Sequence, residues 1–421
     1  MLLLSLAWQS LKNRRLTTSL TVFSIALSVA LLLGVELVRV GARDSFANTI
    51  SQTDLIVGAR GGPLQLLLYS VFRIGSATNN ISYATYEKFR KHPAIDWTIP
   101  YSLGDSHRGF RVVGTNEDFY THYRYRRDRK IEIVTGKVPT GIFEIALGSD
   151  VAQALGYKIG AAVVVTHGVS EHRGILDHDD KPFRVAAILG RTATPVDRSL
   201  YVTLYGMEAM HMDWGAGAPP MPGEETPAAK VKIEDLKIHE ISAFLLRTKS
   251  RIDTLRLQRE INTYADQPLT AIMPGVALTE LWQMLSYAEN ALSVVSFFVL
   301  AVGLLGMLVS IYTSLNERRR EMAILRALGA GPQKIIFLLV VESAMLSTAG
   351  AVAGAAMIYA FCALAQPVVE KKFGLYLPIQ TPTPLAWAYL GIVIGAGVLI
   401  GFVPAIRAYR NALADGLGVR L

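Results

Sequence analysis

The sequence predicts an α-helical membrane protein with four transmembrane helices and a large mixed α/β (α+β) external domain inserted between helices 1 and 2. Three observations carry that expectation. Four stretches are apolar and long enough to cross a bilayer as helix, which takes about 20 residues. The basic excess of the chain falls on one side of those stretches. The long segment between the first two alternates β-rich and helix-patterned runs, as a folded domain does.

Composition frames the rest. Of 421 residues, 51% are hydrophobic and only 18% are charged, against about 25% charged in soluble proteins. That excludes a disordered chain and argues against an ordinary soluble enzyme. The single cysteine, Cys362, excludes an internal disulfide and any multi-cysteine zinc site.

Residues 16–35, 291–315 and 385–403 carry no charge, and residues 335–365 carry one, Glu342. A buried core helix of such length would show a polar face. The first span is read as a retained anchor, because its apolar run exceeds the roughly 7–15 residues of a signal peptide. Val40-Gly41-Ala42 is also a poor cleavage site.

Orientation follows from the basic residues. Residues 1–15, the 316–334 loop and the tail from Pro404 together hold 11 Lys and Arg against 3 Asp and Glu. The whole chain has 42 and 34, so the remainder holds 31 of each and the entire net charge of +8 lies in these three segments. Both termini and the loop are therefore expected in the cytoplasm. The basic balance reads as a topology signal, and no nucleic-acid partner is expected.

The expected order is a cytoplasmic amphipathic helix (1–15), helix 1 (16–40), the external domain (41–285), helix 2 with its stalk (286–315), a cytoplasmic segment (316–334), helix 3 (335–365), a short external loop (366–384), helix 4 (385–403) and a cytoplasmic tail (404–421). Within the external domain, residues 111–114, 161–166, 183–189, 200–203 and 241–246 are β-rich, and 83–91, 149–155 and 250–265 carry helical patterning. Leu278, Leu281, Leu285 and Ala288 recur at helical spacing up to the second span. The expectation is one continuous helix projecting from the membrane.

The chain has no G-x-x-x-x-G-K-[ST], so hydrolysis of ATP by this sequence alone is not expected. Glu342 is expected near the cytoplasmic edge, paired with a base of the preceding loop such as Arg326. Three glycine pairs, Gly350/Gly354, Gly391/Gly395 and Gly397/Gly401, permit close helix contact, read as packing within the chain.

All eight histidines fall between residues 92 and 239. His167, His172 and His178 share a segment with Asp177 and Asp179, acceptable ligands for zinc. Their spacing matches no strong motif, and a solvated loop is preferred over a zinc site. No cofactor is expected in this chain. The run His122 to Lys130 interleaves aromatics with bases and is read as a solvated face.

The sharpest segment comes after the second span. Glu317, Arg318, Arg319, Arg320, Glu321, Met322, Leu325, Arg326, Leu328 and Gly329 fit a short amphipathic helix. Met322, Leu325 and Leu328 lie near one face, the arginines lie elsewhere, and Gly329 is a good C-cap. Such a helix suits docking into a partner's groove.

Here the sequence resembles the permease subunits of the MacB/FtsX/LolC-LolE group of ABC transporters. The run Asn316 to Ala330 looks like their motif after the second span, as do Gln333 to Gly354 with Glu342-Ser343. Residues Glu144 to Gly160 are similar to their periplasmic core domain, and Pro404-Ala405 with Arg407-Ala408 to their closing motif. The ending Ala412 to Leu417 departs from the common proline-containing version.

The resemblance implies a multi-pass protein of the cell inner membrane, with the large domain in the periplasm. It implies a cytoplasmic ABC ATPase partner that holds ATP and Mg, and a second permease copy in a homodimer. Residues 317–329 would be the coupling helix, and work would be done in the periplasm by mechanotransmission. Export of a periplasmic substrate or extraction of a lipid-anchored one is the leading function, with a periplasmic partner or lipoprotein and membrane lipids as further contacts. The alternatives are an FtsX-like regulator that activates a cell-wall hydrolase, and a metal- or peptide-responsive sensor.

Overall fold

The computed structural model describes residues 2–168, 177–214, 225–317, 330–373 and 381–415. The chain divides into two compact units. A helical unit comprises Met1–Gly41, Leu285–Pro367 and Leu377–Leu421, and a sheet unit comprises Ala42–Met284 and Val368–Tyr376.

The long helices are α1 (Leu2–Asn13), α2 (Arg15–Thr49), α4 (Pro274–Glu317), α5 (Pro332–Phe373) and α6 (Pro384–Asp415), with α3 (Leu204–His211) in the sheet unit. Among the described residues, four apolar helical segments, Arg15–Gly41, Pro274–Thr313, Gln333–Val369 and Pro384–Ile406, are long enough to cross a membrane. The bundle core is read off helical spacing. Ile25, Val29 and Leu33 of α2 meet Leu300, Leu304, Met307 and Ile311 of α4, with Leu339 and Leu346 of α5 and Val393 of α6. The opposite faces are apolar too: Phe23, Phe297, Phe298, Val302 and Leu305 are exposed, as suits lipid.

Small residues set how closely these helices approach. A Cβ on Gly350 would lie 2.6 Å from Ile25 Cβ, and one on Gly354 would lie 2.5 Å from the Ala26 carbonyl and 2.7 Å from Val29 Cβ. Gly397 and Gly401 face Ser347 and Ser343 in the same way, whereas Gly391 and Gly395 face open space. Two of the three glycine pairs thus pack within the chain. Ser28 Oγ adds a polar tie, reaching the Val299 carbonyl of α4 at 3.1 Å.

Among the described residues, the main sheet of this unit has ten strands: β1 (Leu55–Ala59), β2 (Ile95–His107), β3 (Phe110–Thr115), β4 (Ile133–Gly136), β5 (Glu144–Leu147), β6 (Ala162–Val163), β7 (Phe183–Leu189), β8 (Ser199–Thr203), β9 (Ala243–Thr248) and β10 (Leu269–Ile272). Their order is β10-β1-β9-β2-β3-β8-β5-β7-β4, with β6 on β7. The pairs β3/β8 and β5/β7 are parallel and the others antiparallel, so the sheet is mixed.

Period-two alternation sorts the side chains. Ile56, Leu245, Val113, Ala146 and Tyr201 enter one aromatic-rich core with Phe119, Tyr123 and Tyr125, and Ala277 and Leu278 at the start of α4 join it. Their strand neighbours face the other way. Leu55, Val57, Phe244 and Leu246 pack with Tyr86, Phe89, Leu257 and Ile261, while Val112, Ile145, Leu147, Leu200 and Val202 pack with Val151, Phe183 and Met207.

The run from His122 to Lys130 folds into the hairpin Arg124–Tyr125 and Arg129–Lys130. Arg126 and Arg127 take the left-handed conformation a tight hairpin turn requires. Tyr123 and Tyr125 are buried, while Arg129 and Lys130 are exposed.

Two features position the residues of interest. Residues Gly104 and Asp105 of β2 oppose Val112 alone, because the β2/β3 register jumps between Leu103↔Val113 and Ser106↔Arg111. Such a bulge re-aims a side chain, and Asp105 is buried. The second is a buried ion pair. Lys181 is fully buried, and its Nζ donates to Asp180 at 2.5 Å and to Asp213 at 2.6 Å. Asp213 also accepts from Thr226 N at 2.9 Å and Thr226 Oγ1 at 2.8 Å. The turn at residues 178–181 is thereby clamped to the end of α3.

Two outcomes are expected. Gly350→Ala lowers stability by about 1–3 kcal/mol through overpacking, whereas Gly395→Ala is neutral; thermal melts of the detergent-purified protein separate the two. Lys181→Met leaves two carboxylates without their cation and costs about 3 kcal/mol, read as a lower denaturant midpoint by tryptophan fluorescence.

Candidate functional site

Of the ten residues expected to form the coupling helix, Arg318 to Gly329 lie outside the described residues, and Glu317 is the last residue of α4. Glu342 is buried in α5 and accepts from Ser10 Oγ of α1 at 3.5 Å. Arg326, the partner suggested by sequence, lies outside the described residues.

The sheet unit holds a second constellation. Asp105, His167, His178 and His211 each bring one ligand-type atom into a group whose members all lie within 4.8 Å of one another. Three strand-like segments and one helix place them. Ser106 pairs antiparallel with Thr166, which sets Asp105 across from His167, and Thr166 pairs with Asp177, which brings His178 alongside. Thr166 Oγ1 fixes that second pairing by donating to Asp177 at 2.6 Å. His211 ends α3, whose first turn is capped by Thr203 Oγ1 accepting from Gly206 N at 3.0 Å.

The contacts are close. His167 Nδ1 lies 3.1 Å from His211 Nε2 and 3.3 Å from Asp105 Oδ1, and His211 Nε2 lies 3.4 Å from Asp105 Oδ2. His211 Nδ1 lies 3.0 Å from the Met207 carbonyl. A carbonyl only accepts, so Nδ1 carries the proton and Nε2 turns toward the group. His178 is fully buried, and neither of its ring nitrogens has a hydrogen-bond partner among the described residues. Trp214 covers the group, its ring centroid 4.5 Å from that of His178 and 4.9 Å from that of His167.

The electrostatics follow from this packing. Burial opposes ionisation of Asp105, yet hydrogen bonding and charge from His167 and His211 outweigh it and hold its carboxyl well below the usual range. Burial opposes the charged form of His211 as well, and Asp105 more than offsets it, so that pKa is raised. Burial, reinforced by His211, pushes His178 down to about 4. The group therefore offers an ionised carboxylate and a neutral imidazole, both usable as metal ligands.

Of the residues the sequence proposed for zinc, His167 and His178 are in this group. Asp177 is turned to Thr166, Asp179 is exposed, and His172 lies outside the described residues. Asp105 and His211 were not singled out by sequence. An acidic residue directly after a strand glycine, Leu103-Gly104-Asp105, is the signal that marks the first, since glycine inside a strand often marks a bulge.

Comparison with known proteins accounts for most of the chain. The MacB-like periplasmic core domain model matches residues 18–264. The FtsX-like permease C-terminal model matches residues 293–413. The macrolide export ATP-binding/permease protein MacB of Shewanella sp. (strain ANA-3) is 29% identical over 30% of this chain. A probable syringafactin export ATP-binding/permease protein of Pseudomonas syringae pv. tomato is 33% identical over 38% of it, and an uncharacterised ABC transporter permease of Methanocaldococcus jannaschii is 27% identical over 29%. The alignments span only 18%, 23% and 33% of the lengths of these three relatives. The periplasmic region of MacB from Actinobacillus actinomycetemcomitans is a distant structural neighbour, with a TM-score of 0.34 at 11% identity over 55% of this chain and 94% of that one, and it adds nothing to the assignment. With one family model over more than half the chain and a second over most of the rest, this protein belongs to the MacB/FtsX-type ABC permeases, multi-pass membrane proteins with a periplasmic-type domain.

Proposed function

We propose that this chain is the membrane subunit of an ABC system in which a separate cytoplasmic ATPase drives conformational work on the periplasmic side. The observation that carries the reading is α4, one unbroken helix of 44 residues. At 1.5 Å per residue it is about 66 Å long, roughly twice the thickness of a bilayer's hydrocarbon core. Its first turn belongs to the core of the sheet unit, and its last residue, Glu317, opens the arginine-rich segment that resembles a coupling helix. On this reading the helix relays displacement of the coupling segment along its length.

The membrane segments support the same reading. Buried hydroxyls of the spans donate to backbone carbonyls: Thr21 Oγ1 to Thr17 at 2.8 Å, Ser343 Oγ to Leu339 at 3.0 Å, and Ser28 Oγ to Ser24 at 2.9 Å and Val299 at 3.1 Å. Bundle interiors that carry ions or protons are lined by ionisable side chains. Here the buried acids among the described residues of the spans are Glu342, beside Ser10, and Glu36, paired with Arg39 at 2.7 Å. The Shewanella and Pseudomonas relatives are export proteins that join ATP-binding and permease functions. By that likeness, the cargo of this system is a periplasmic substrate to be exported or a lipid-anchored one to be extracted. Two copies of the chain would meet two ATPase subunits.

The test is copurification from native membranes. Arg319→Glu with Arg320→Glu is expected to abolish recovery of the ATPase with the permease, at unchanged yield and melting temperature of the permease itself. Full recovery of the ATPase with the double variant would overturn the docking role.

A further inference from the structure

We propose that Asp105, His167, His178 and His211 form a binding site for one divalent transition-metal ion of the zinc class. The inference goes beyond the transport reading and rests on observations independent of it.

Geometry carries it first. Zinc binds imidazole nitrogen and carboxylate oxygen at about 2.0–2.2 Å in a tetrahedron, whose edges are then about 3.3–3.5 Å. His211 Nε2 lies 3.1 Å from His167 Nδ1 and 3.4 Å from Asp105 Oδ2, two separations close to that size, and the other carboxylate oxygen of Asp105 lies 3.3 Å from His167 Nδ1. The remaining separations lie within 4.8 Å, so a small swing of one ring closes the shell.

The second observation is what the group leaves undone. Both ring nitrogens of His178 are buried without a hydrogen-bond partner, and no other described side chain leaves two atoms so; Asp105 Oδ2 has only the 3.4 Å ion-pair contact with His211 Nε2. A buried polar atom without a partner costs about 1–3 kcal/mol. A cation placed among the four residues would satisfy the carboxylate oxygen and one His178 nitrogen together.

The third is the surrounding support. The other nitrogen of His211 is held by a backbone carbonyl, which fixes its tautomer as metal-bound histidines require. The Lys181 clamp joins the segment bearing His178 to the residues just after His211. Trp214 gives the group an apolar cover.

Three imidazoles and one carboxylate select zinc or cobalt over magnesium or calcium, which take oxygen ligands. Four protein ligands leave no open coordination position. The ion is therefore a staple and not a centre that activates water. It would fasten the β2 bulge, the segment carrying Thr166 and His167, the 178–181 turn and the end of α3 to one another.

The experiment uses the full chain, purified in detergent through a handle free of histidine and stripped with EDTA. Dialysis against zinc and then against buffer is expected to leave one zinc per chain by elemental analysis. Cobalt(II) is expected to give the intense visible absorption of a tetrahedral site and to lose it when zinc is added. Asp105→Asn with His178→Ala is expected to weaken zinc binding by more than about 100-fold. His167→Gln, at a position with 39% of its side chain exposed, gives the same loss without disturbing the core. A wild-type protein that retains no zinc and leaves cobalt spectroscopically octahedral overturns the proposal, as does undiminished zinc binding by the His167 variant.

Discussion

Every part of this molecule answers to the cost of an unpaired peptide group away from water. In a bilayer that cost is several kcal/mol per group, and only helices and closed barrels avoid it. The four apolar segments are accordingly helical throughout, and Thr21, Ser296 and Ser343 return their hydroxyls to carbonyls of their own helices. In the sheet unit the same demand is met between strands, by a mixed sheet of ten strands whose alternate side chains fill a core on each face. Close approach in the bundle then depends on residues without bulk. Gly350 and Gly354 let α5 lie against Ile25, Ala26 and Val29 of α2.

The spans were legible because a bilayer asks for a long apolar run and little else. The continuity of α4 was legible from the spacing of Leu278, Leu281, Leu285 and Ala288, since a helical stripe that does not break at the membrane edge predicts a helix that does not break there. Residues 183–189 and 149–155 were read at their observed bounds. Others were not. Residues 161–166 read as a continuous β-rich run, yet only Ala162–Val163 is strand, because the residues beyond Val163 are held by the isolated bridges of Thr166. The longest strand among the described residues, Ile95–His107, carries Pro100, Gly104 and Asp105, which hide its period, and its register breaks at the last two.

The metal-type group was half legible. Local spacing exposed His167 and His178, which are brought together by a pairing eleven residues apart. Nothing local joins them to Asp105, 62 residues before His167, or to His211, 44 residues after it. Those two arrive through the bulge in β2 and the placement of α3, which are properties of the sheet. Asp177, nearer in sequence, points elsewhere because strand pairing sends neighbouring side chains to opposite faces, and Asp179 lies exposed in the turn that follows.

The constraint that shapes the helices also bears on that group. A bulge gives up a ladder hydrogen bond, and burying an ionised carboxylate costs more still unless it is paired. Asp105 meets both conditions at once, so its neighbours must compensate. Two histidines do so by lending it positive character. The third histidine in the same pocket is in none of the described ion pairs: it is fully buried with neither ring nitrogen hydrogen-bonded among the described residues, so it contributes nothing to a cluster held by charge alone. A divalent cation removes that inconsistency, because it binds a neutral imidazole by its lone pair and an ionised carboxylate by its charge in the same act. The arrangement that looks surplus for a salt bridge is complete for a coordination shell.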